Sequence, residues 1–106
     1  MKKLFIVGAG GFGREVYAWA KDHPDCGQAW ELAGFLDDDM SALDDYDYPV
    51  SVIDRVQDYQ PRSNEVFVCA IGAPEVKKKV CQLLLKRSAE FISLVHPSVI
   101  IGENVA

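Results

Sequence analysis

A run of four apolar residues, Leu4-Phe5-Ile6-Val7, leads straight into Gly8-Ala9-Gly10-Gly11-Phe12-Gly13. A continuous apolar run of this kind suits a strand buried on both faces, as in a parallel sheet. Gly8, Gly10 and Gly13 fit the G-x-G-x-x-G spacing. In that pattern the first glycine permits a tight turn, and the second leaves the backbone bare where phosphates approach. The third lets a helix pack closely on the strand. The residues after it, 12–21, carry Val16 and Ala20 four apart, with Phe12, Tyr17 and Trp19 widening the apolar face. They predict an amphipathic helix whose free N–H groups and positive dipole end point at the turn, which favours an anion. A strand before the turn and a helix after it are the context that makes a nucleotide or nucleotide-sugar site the functional reading. The alternative is a sharp connection with no ligand. Gly11 speaks for a ligand, because a second bare backbone position is costly in entropy unless something comes close.

At 106 residues the chain is long enough for one small domain. Its 49% hydrophobic and 25% charged residues are those of a globular chain. A domain of this size buries roughly 65% of its unfolded surface, enough for one sheet with helices on it. The net charge of −5 argues against nonspecific binding to nucleic acid or to membrane surfaces, which needs basic surface. No apolar run approaches the ~20 residues of a membrane span. The segment from Lys2-Lys3 through Val7 is too short in its apolar part for a signal peptide. Three cysteines without a CxxC pair, and two histidines (His23, His96), give no metal-site pattern. Cys69 and Cys81 fall in apolar segments and read as small hydrophobes. The expectation is a reduced, cytoplasmic protein.

Further along, residues 30–36 (Trp-Glu-Leu-Ala-Gly-Phe-Leu) predict a second strand that ends at Asp37-Asp38-Asp39. Asp37 falls about where a dinucleotide-binding fold places the acid that accepts from a ribose hydroxyl. Asp37 and Asp38 are therefore candidate acceptors for a sugar hydroxyl or a base N–H, or else turn residues. Asp39, Asp44, Asp45 and Asp47 read as a solvated loop. These acids oppose an anionic ligand only weakly, since a unit charge ~8 Å away in water costs about 0.5 kcal/mol. Tyr48-Pro49-Val50 reads as a short third strand or an extended segment, because Pro49 has no N–H for a ladder. Residues 54–59 suggest a short helix with Val56 and Tyr59 inward. Residues 65–71 predict the second buried strand.

Ile71-Gly72-Ala73 then leads to Pro74, well placed to open a helix over residues 75–87. Val76, Val80, Leu83 and Leu84 predict its buried stripe. Lys77, Lys78 and Lys79 read as a solvated basic face, the alternative being one lysine turned to an anionic ligand. Residues 89–94 read as a last strand, broken by His96-Pro97-Ser98.

Gly8 to Glu15, Phe35-Leu36-Asp37-Asp38, Ala70-Ile71-Gly72 with its lysine-rich helix, Val95-His96-Pro97-Ser98 and Ile101-Gly102 occur in that order. The series resembles the N-terminal domain of the bacterial hexapeptide-repeat sugar acyltransferases, among them sialic acid O-acetyltransferases and N-acetyltransferases of UDP-4-amino sugars. The resemblance covers essentially the whole chain. It implies a Rossmann-like sugar-nucleotide domain over residues 1–94, and the first unit of a left-handed β-helix over 95–106. By the same resemblance, the β-helix of the full enzyme trimerises, holds acetyl-CoA between subunits and carries the catalytic histidine. His96 lies in the junction motif and is expected to be structural, so no catalytic residue is assigned and residues 1–106 alone are expected to be inactive. Carried over by position, Gly8, Gly10, Gly11, Phe12 and Gly13 match the phosphate turn, and Asp37 and Asp38 match acids near the nucleoside. Ile71, Gly72 and Ala73 match the loop beside the ligand.

The expected fold is α/β, a parallel sheet in the order 3-2-1-4-5 with helices on both faces. The expected ligand is a UDP-linked sugar, with no cofactor on this part of the chain. An NAD-binding or nucleotide-sensing module without acyl transfer fits the glycine turn and Asp37 equally well. The tail from Val95 to Val105 is what separates the two. A bare interaction domain with a vestigial pocket is the third reading.

Overall fold

The computed structural model describes residues 1–92. In chain order these form β1 (Lys2–Val7), α1 (Gly11–Asp22), β2 (Trp30–Leu36), β3 (Val52–Asp54), a 3₁₀ turn (Val56–Asp58), β4 (Glu65–Cys69) and α2 (Pro74–Lys86). The strands make a four-stranded parallel sheet in the order β3-β2-β1-β4. This is a Rossmann-like α/β fold, as expected. The chain winds outward from β1 to β3, then crosses to the other side of β1 to lay down β4. The strand order therefore reverses between β1 and β4, the usual place for a ligand crevice.

The apolar run of β1 divides between the two faces. Leu4 and Ile6 pack with Val16, Tyr17 and Ala20 of α1, while Phe5 and Val7 pack with Leu84 of α2 and Val56 of the 3₁₀ turn. One helix thus covers each face, and all four β1 residues are buried. Burying a side chain as large as Phe35 or Phe67, both fully enclosed, contributes about 1.5–3 kcal/mol. The register of β2 shifts between the partners of Leu4 and Phe5. The shift matters because side chains alternate faces. It sets both Leu32 and Phe35 against α1 and leaves Ala33 and Leu36 for the other side.

Two expectations need correction. The third strand is Val52–Asp54, not Tyr48-Pro49-Val50. Proline cannot donate to the ladder, so the segment around Pro49 stays irregular, and Tyr48 instead packs edge-on against Tyr17 at 4.9 Å. The apolar stripe of α2 is not uniformly buried. Leu84 is enclosed and Val80 and Leu83 are half-buried, but Val76 is 49% exposed and faces an open cleft shared with Gly8, Leu36 and Ala70 at the strand ends. Of the last strand expected over residues 89–94, the described part forms a parallel bridge between Phe91 and Phe67, where the Phe67 N–H donates to Glu90 O at 2.9 Å and the Ile92 N–H to Phe67 O at 2.8 Å. That bridge holds the fifth place beside β4. Residues 93 and 94, His96 and the β-helix unit assigned to 95–106 lie outside the described residues.

The expected free thiols are found at Cys26, Cys69 and Cys81, all half-buried. Burial and the adjacent Cys69 push the Cys81 thiol up to about 11, so it stays protonated as a small hydrophobe.

Candidate functional site

The turn between β1 and α1 is clamped from both sides. The Gly8 N–H donates to Leu36 O at 2.7 Å, and the Ala70 N–H donates to Val7 O at 2.8 Å. These bonds fix the turn between the ends of β2 and β4. Gly8 adopts φ +105°, and a Cβ there would come within 2.9 Å of the Ala70 carbonyl oxygen. At Gly13 a Cβ would overlap the carbonyl oxygen of Gly8, so this glycine sets how closely α1 approaches the strand. Gly10 differs from both, because a Cβ there would meet nothing within 4 Å. Packing explains Gly8 and Gly13 and leaves Gly10 unexplained. A ligand that needs bare backbone would account for it.

Gly10 and Gly8 form one end of a cleft of about 350 Å³ at the carboxyl ends of β1, β2 and β4. Asp37 and Asp38 supply its polar wall, and Leu36, Val56, Ala70, Ile71, Val76 and Val80 its apolar one. The volume lies at the lower end of the range for small-molecule sites, and the mix of an apolar wall with a few polar groups is typical of them.

Five of the ten candidate residues, Gly8, Gly10, Asp37, Asp38 and Ile71, line this cleft. Gly13 is buried behind the turn, while Gly11, Gly72 and Ala73 are exposed. Phe12 is 39% exposed and packs edge-on against Trp19, with ring centres 6.2 Å apart. Val56, Val76 and Val80 also line the cleft and were not anticipated. The available signal was the apolar stripe of α2, whose first members, Val76 and Val80, face this cleft.

The two acids have different duties. Asp37 Oδ2 accepts from the Ala9 N–H at 2.8 Å, and Oδ1 accepts from the Asp39 N–H at 2.8 Å. Both oxygens of Asp37 thus hold backbone. Asp38 Oδ1 accepts from the Val56 N–H at 3.1 Å, which ties the end of β2 to the 3₁₀ turn. Its other oxygen has no partner among the described residues, and the side chain is exposed. Asp39 Oδ1 accepts from both the hydroxyl and the N–H of Ser41, and these bonds hold its carboxyl below the usual range.

Arg14 stands on α1 just after the turn, outside the lining of the cleft. Its guanidinium carbon lies 4.2 Å from the centre of the Tyr46 ring, and Nη1 donates a long bond of 3.5 Å to Ala9 O. Uncapped N–H groups lead α1, since Gly10 at the N-cap offers no side chain. The geometry supplies donors for an anion at the turn, an acceptor at Asp38 and an apolar wall between β4 and α2.

Residues 3–84, which include the glycine turn, the acidic end of β2 and most of α2, match the family model for the PglD N-terminal domain. The chain belongs to this family. It is also 28% identical, over 108 aligned positions, to the UDP-N-acetylbacillosamine N-acetyltransferase of Bacillus subtilis (strain 168). That alignment covers 98% of this chain and 47% of the relative, so this PglD N-terminal domain spans about half the relative's length. The expected kinship with the N-terminal domain of sugar acyltransferases is thereby met. Among the described residues of this family member, no helix is long and apolar enough to cross a membrane.

Proposed function

We propose that this PglD N-terminal domain binds a UDP-linked sugar and serves as the acceptor-holding part of an acetyl-CoA-dependent sugar O- or N-acyltransferase. The observation that carries the reading is the cleft itself, with apolar walls converging on a turn whose Gly10 has no packing reason to be glycine. In this reading the diphosphate lies against the turn and the start of α1. The nucleoside lies along Leu36, Val56 and Ile71, with the free oxygen of Asp38 accepting from a base N–H or a sugar hydroxyl. The name of the Bacillus relative, an N-acetyltransferase of a UDP-sugar, supports the choice of uridine.

The chain's own contribution to the reaction is positioning. It fixes the acceptor so that its amine or hydroxyl meets the acyl donor, and such placement alone lowers a barrier substantially. Acetyl-CoA, when bound, supplies the activated thioester. Its site, the catalytic base and the trimer contacts are assigned to the β-helical part beyond residue 94, and residues 1–106 alone are expected to transfer nothing.

Titration with UDP, a UDP-sugar and NAD, following backbone amide shifts at Gly8, Gly10, Asp38 and Gly72, tests the reading. UDP and the UDP-sugar should shift these amides and NAD should not. An equal or stronger response to NAD would replace the sugar-nucleotide reading with a dinucleotide one. Silence to all three would leave a vestigial pocket.

A further inference from the structure

We infer that Arg14 is the side chain that grips the ligand's phosphates, and that Tyr46 holds it ready. The inference rests on the nucleotide reading above and goes on to name the group that reads the ligand's charge.

Arg14 is the fourth residue of α1, in a first turn with no acidic residue. A cation there is opposed by the positive end of the helix dipole. Carboxylates adjoin both of its contacts: Asp45 and Asp47 flank Tyr46 in sequence, and Asp37 accepts from the N–H of the same Ala9 whose carbonyl Arg14 touches. Yet among the described residues none forms an ion pair with Arg14. A guanidinium has five N–H donors, and its one bond among the described residues, to Ala9 O at 3.5 Å, is at the limit of a hydrogen bond. Its Nη2 would stand 3.9 Å from a Cβ built on Gly11, so the unspent donors lie beside the bare stretch of the turn.

The cleft needs such a group. Its lining contains two carboxylates and no cation, whereas a nucleoside diphosphate arrives with at least two negative charges. The turn's own donors are partly spent, since the Gly8 N–H serves Leu36 O and the Ala9 N–H serves Asp37. A planar guanidinium can take two phosphate oxygens at once, which a lysine cannot. Stacking on an exposed tyrosine is a weak interaction. Tyr46, 48% exposed, therefore keeps Arg14 close to the turn without competing seriously with a phosphate.

The test compares UDP with uridine, each at up to millimolar concentration, on this chain and on Arg14→Gln, Arg14→Lys and Tyr46→Ala. Arg14→Gln should weaken UDP binding by about 10- to 100-fold, the usual loss for a hydrogen bond to a charged group, and leave uridine within about twofold. Arg14→Lys should recover part of the loss, and the salt dependence of UDP binding should flatten in Arg14→Gln. Tyr46→Ala should cost UDP only a few-fold, and supplies a second variant with Arg14 intact. If the parent chain binds UDP and Arg14→Gln binds it equally well, the inference fails while the nucleotide reading stands. Equal losses for UDP and uridine would likewise overturn it, since they would mark a structural role. If the parent chain binds neither, the nucleotide reading falls and this inference falls with it.

Discussion

Asp37 at the end of β2 holds the glycine turn of β1, through the 2.8 Å bond from the Ala9 N–H to its Oδ2. The other oxygen holds the Asp39 N–H at 2.8 Å and starts the acidic loop. One carboxylate thus sets both the shape of the turn and the path of the chain leaving the strand. Hydrogen bonds to a charged group contribute about 1.5–3 kcal/mol each, less where water competes. Asp37→Ala should therefore lower stability by about 2–3 kcal/mol. Asp37→Asn, which keeps one acceptor oxygen, should lose about half as much. Urea denaturation of both variants checks this, and equal, negligible losses would mean that the turn stands without Asp37.

Gly10 and Gly13 are expected to respond oppositely to a side chain. Gly10 has φ −76°, open to any L residue, and free space where a Cβ would go. Gly10→Val should fold with a stability change within about 1 kcal/mol, the size of a poor N-cap, and should lose more than about tenfold in UDP affinity as the side chain fills the phosphate position. Gly13→Ala would press its methyl into the Gly8 carbonyl and should cost about 3 kcal/mol or prevent folding. Thermal melts with UDP titration of the two variants separate these outcomes. Unchanged UDP affinity in folded Gly10→Val would make the turn purely structural.

The sequence made some of this legible and hid the rest, for physical reasons. The run from Trp30 to Leu36 is read to the residue because apolar side chains stop abruptly at Asp37. β3 is missed because three residues, Val52–Asp54, carry too little periodicity to stand out beside Val50. Val76 is read as core because a helical stripe reports which face is apolar, and not how far the sheet extends beneath it. The chain of contacts from Asp37 to Ala9 was out of reach, since composition gives no measure of which N–H an acid will find. The division of labour between Asp37 and Asp38 follows from that contact and from the Val56 N–H.

Ser88 offers a direct way to raise stability. It follows α2 with φ 68°, in the left-handed region. The Ala89 N–H donates to Leu84 O at 3.0 Å and the Ser88 N–H to Leu85 O at 3.0 Å. This is the Schellman arrangement, with its apolar contact supplied by Ala89 and Leu84 in one cluster. Glycine is the preferred residue there because a Cβ in this conformation costs about 1–2 kcal/mol. Ser88→Gly should therefore gain about 1 kcal/mol after its larger chain entropy in the unfolded state is counted. In a domain of this size that raises Tm by ~4–8 °C. Ser88→Ala, which retains the Cβ, should give no such rise in the same thermal scan.

Glu65 and Tyr59 predict how the domain behaves in alkali. Glu65 is 4% exposed, and its Oε1 accepts from the Tyr59 hydroxyl at 2.7 Å and from the Arg62 N–H at 3.0 Å. Burial, and then the hydrogen bond and negative charge of Glu65, push the Tyr59 phenol far above its ordinary value of 10.0. The folded state therefore keeps the proton while the unfolded chain releases it. Stability from this pair is complete below about pH 10 and is lost progressively as pH rises beyond that. Tyr59→Phe should cost about 1–2 kcal/mol at neutral pH, because Glu65 stays buried with one donor fewer. Above pH 10 the variant should lose stability less steeply than the parent. A residual slope should remain from Tyr17, whose phenol burial also raises. Urea midpoints at pH 8, 10 and 11 for the two proteins decide it, and parallel slopes would show that the Tyr59 hydroxyl does not hold its proton in the folded state.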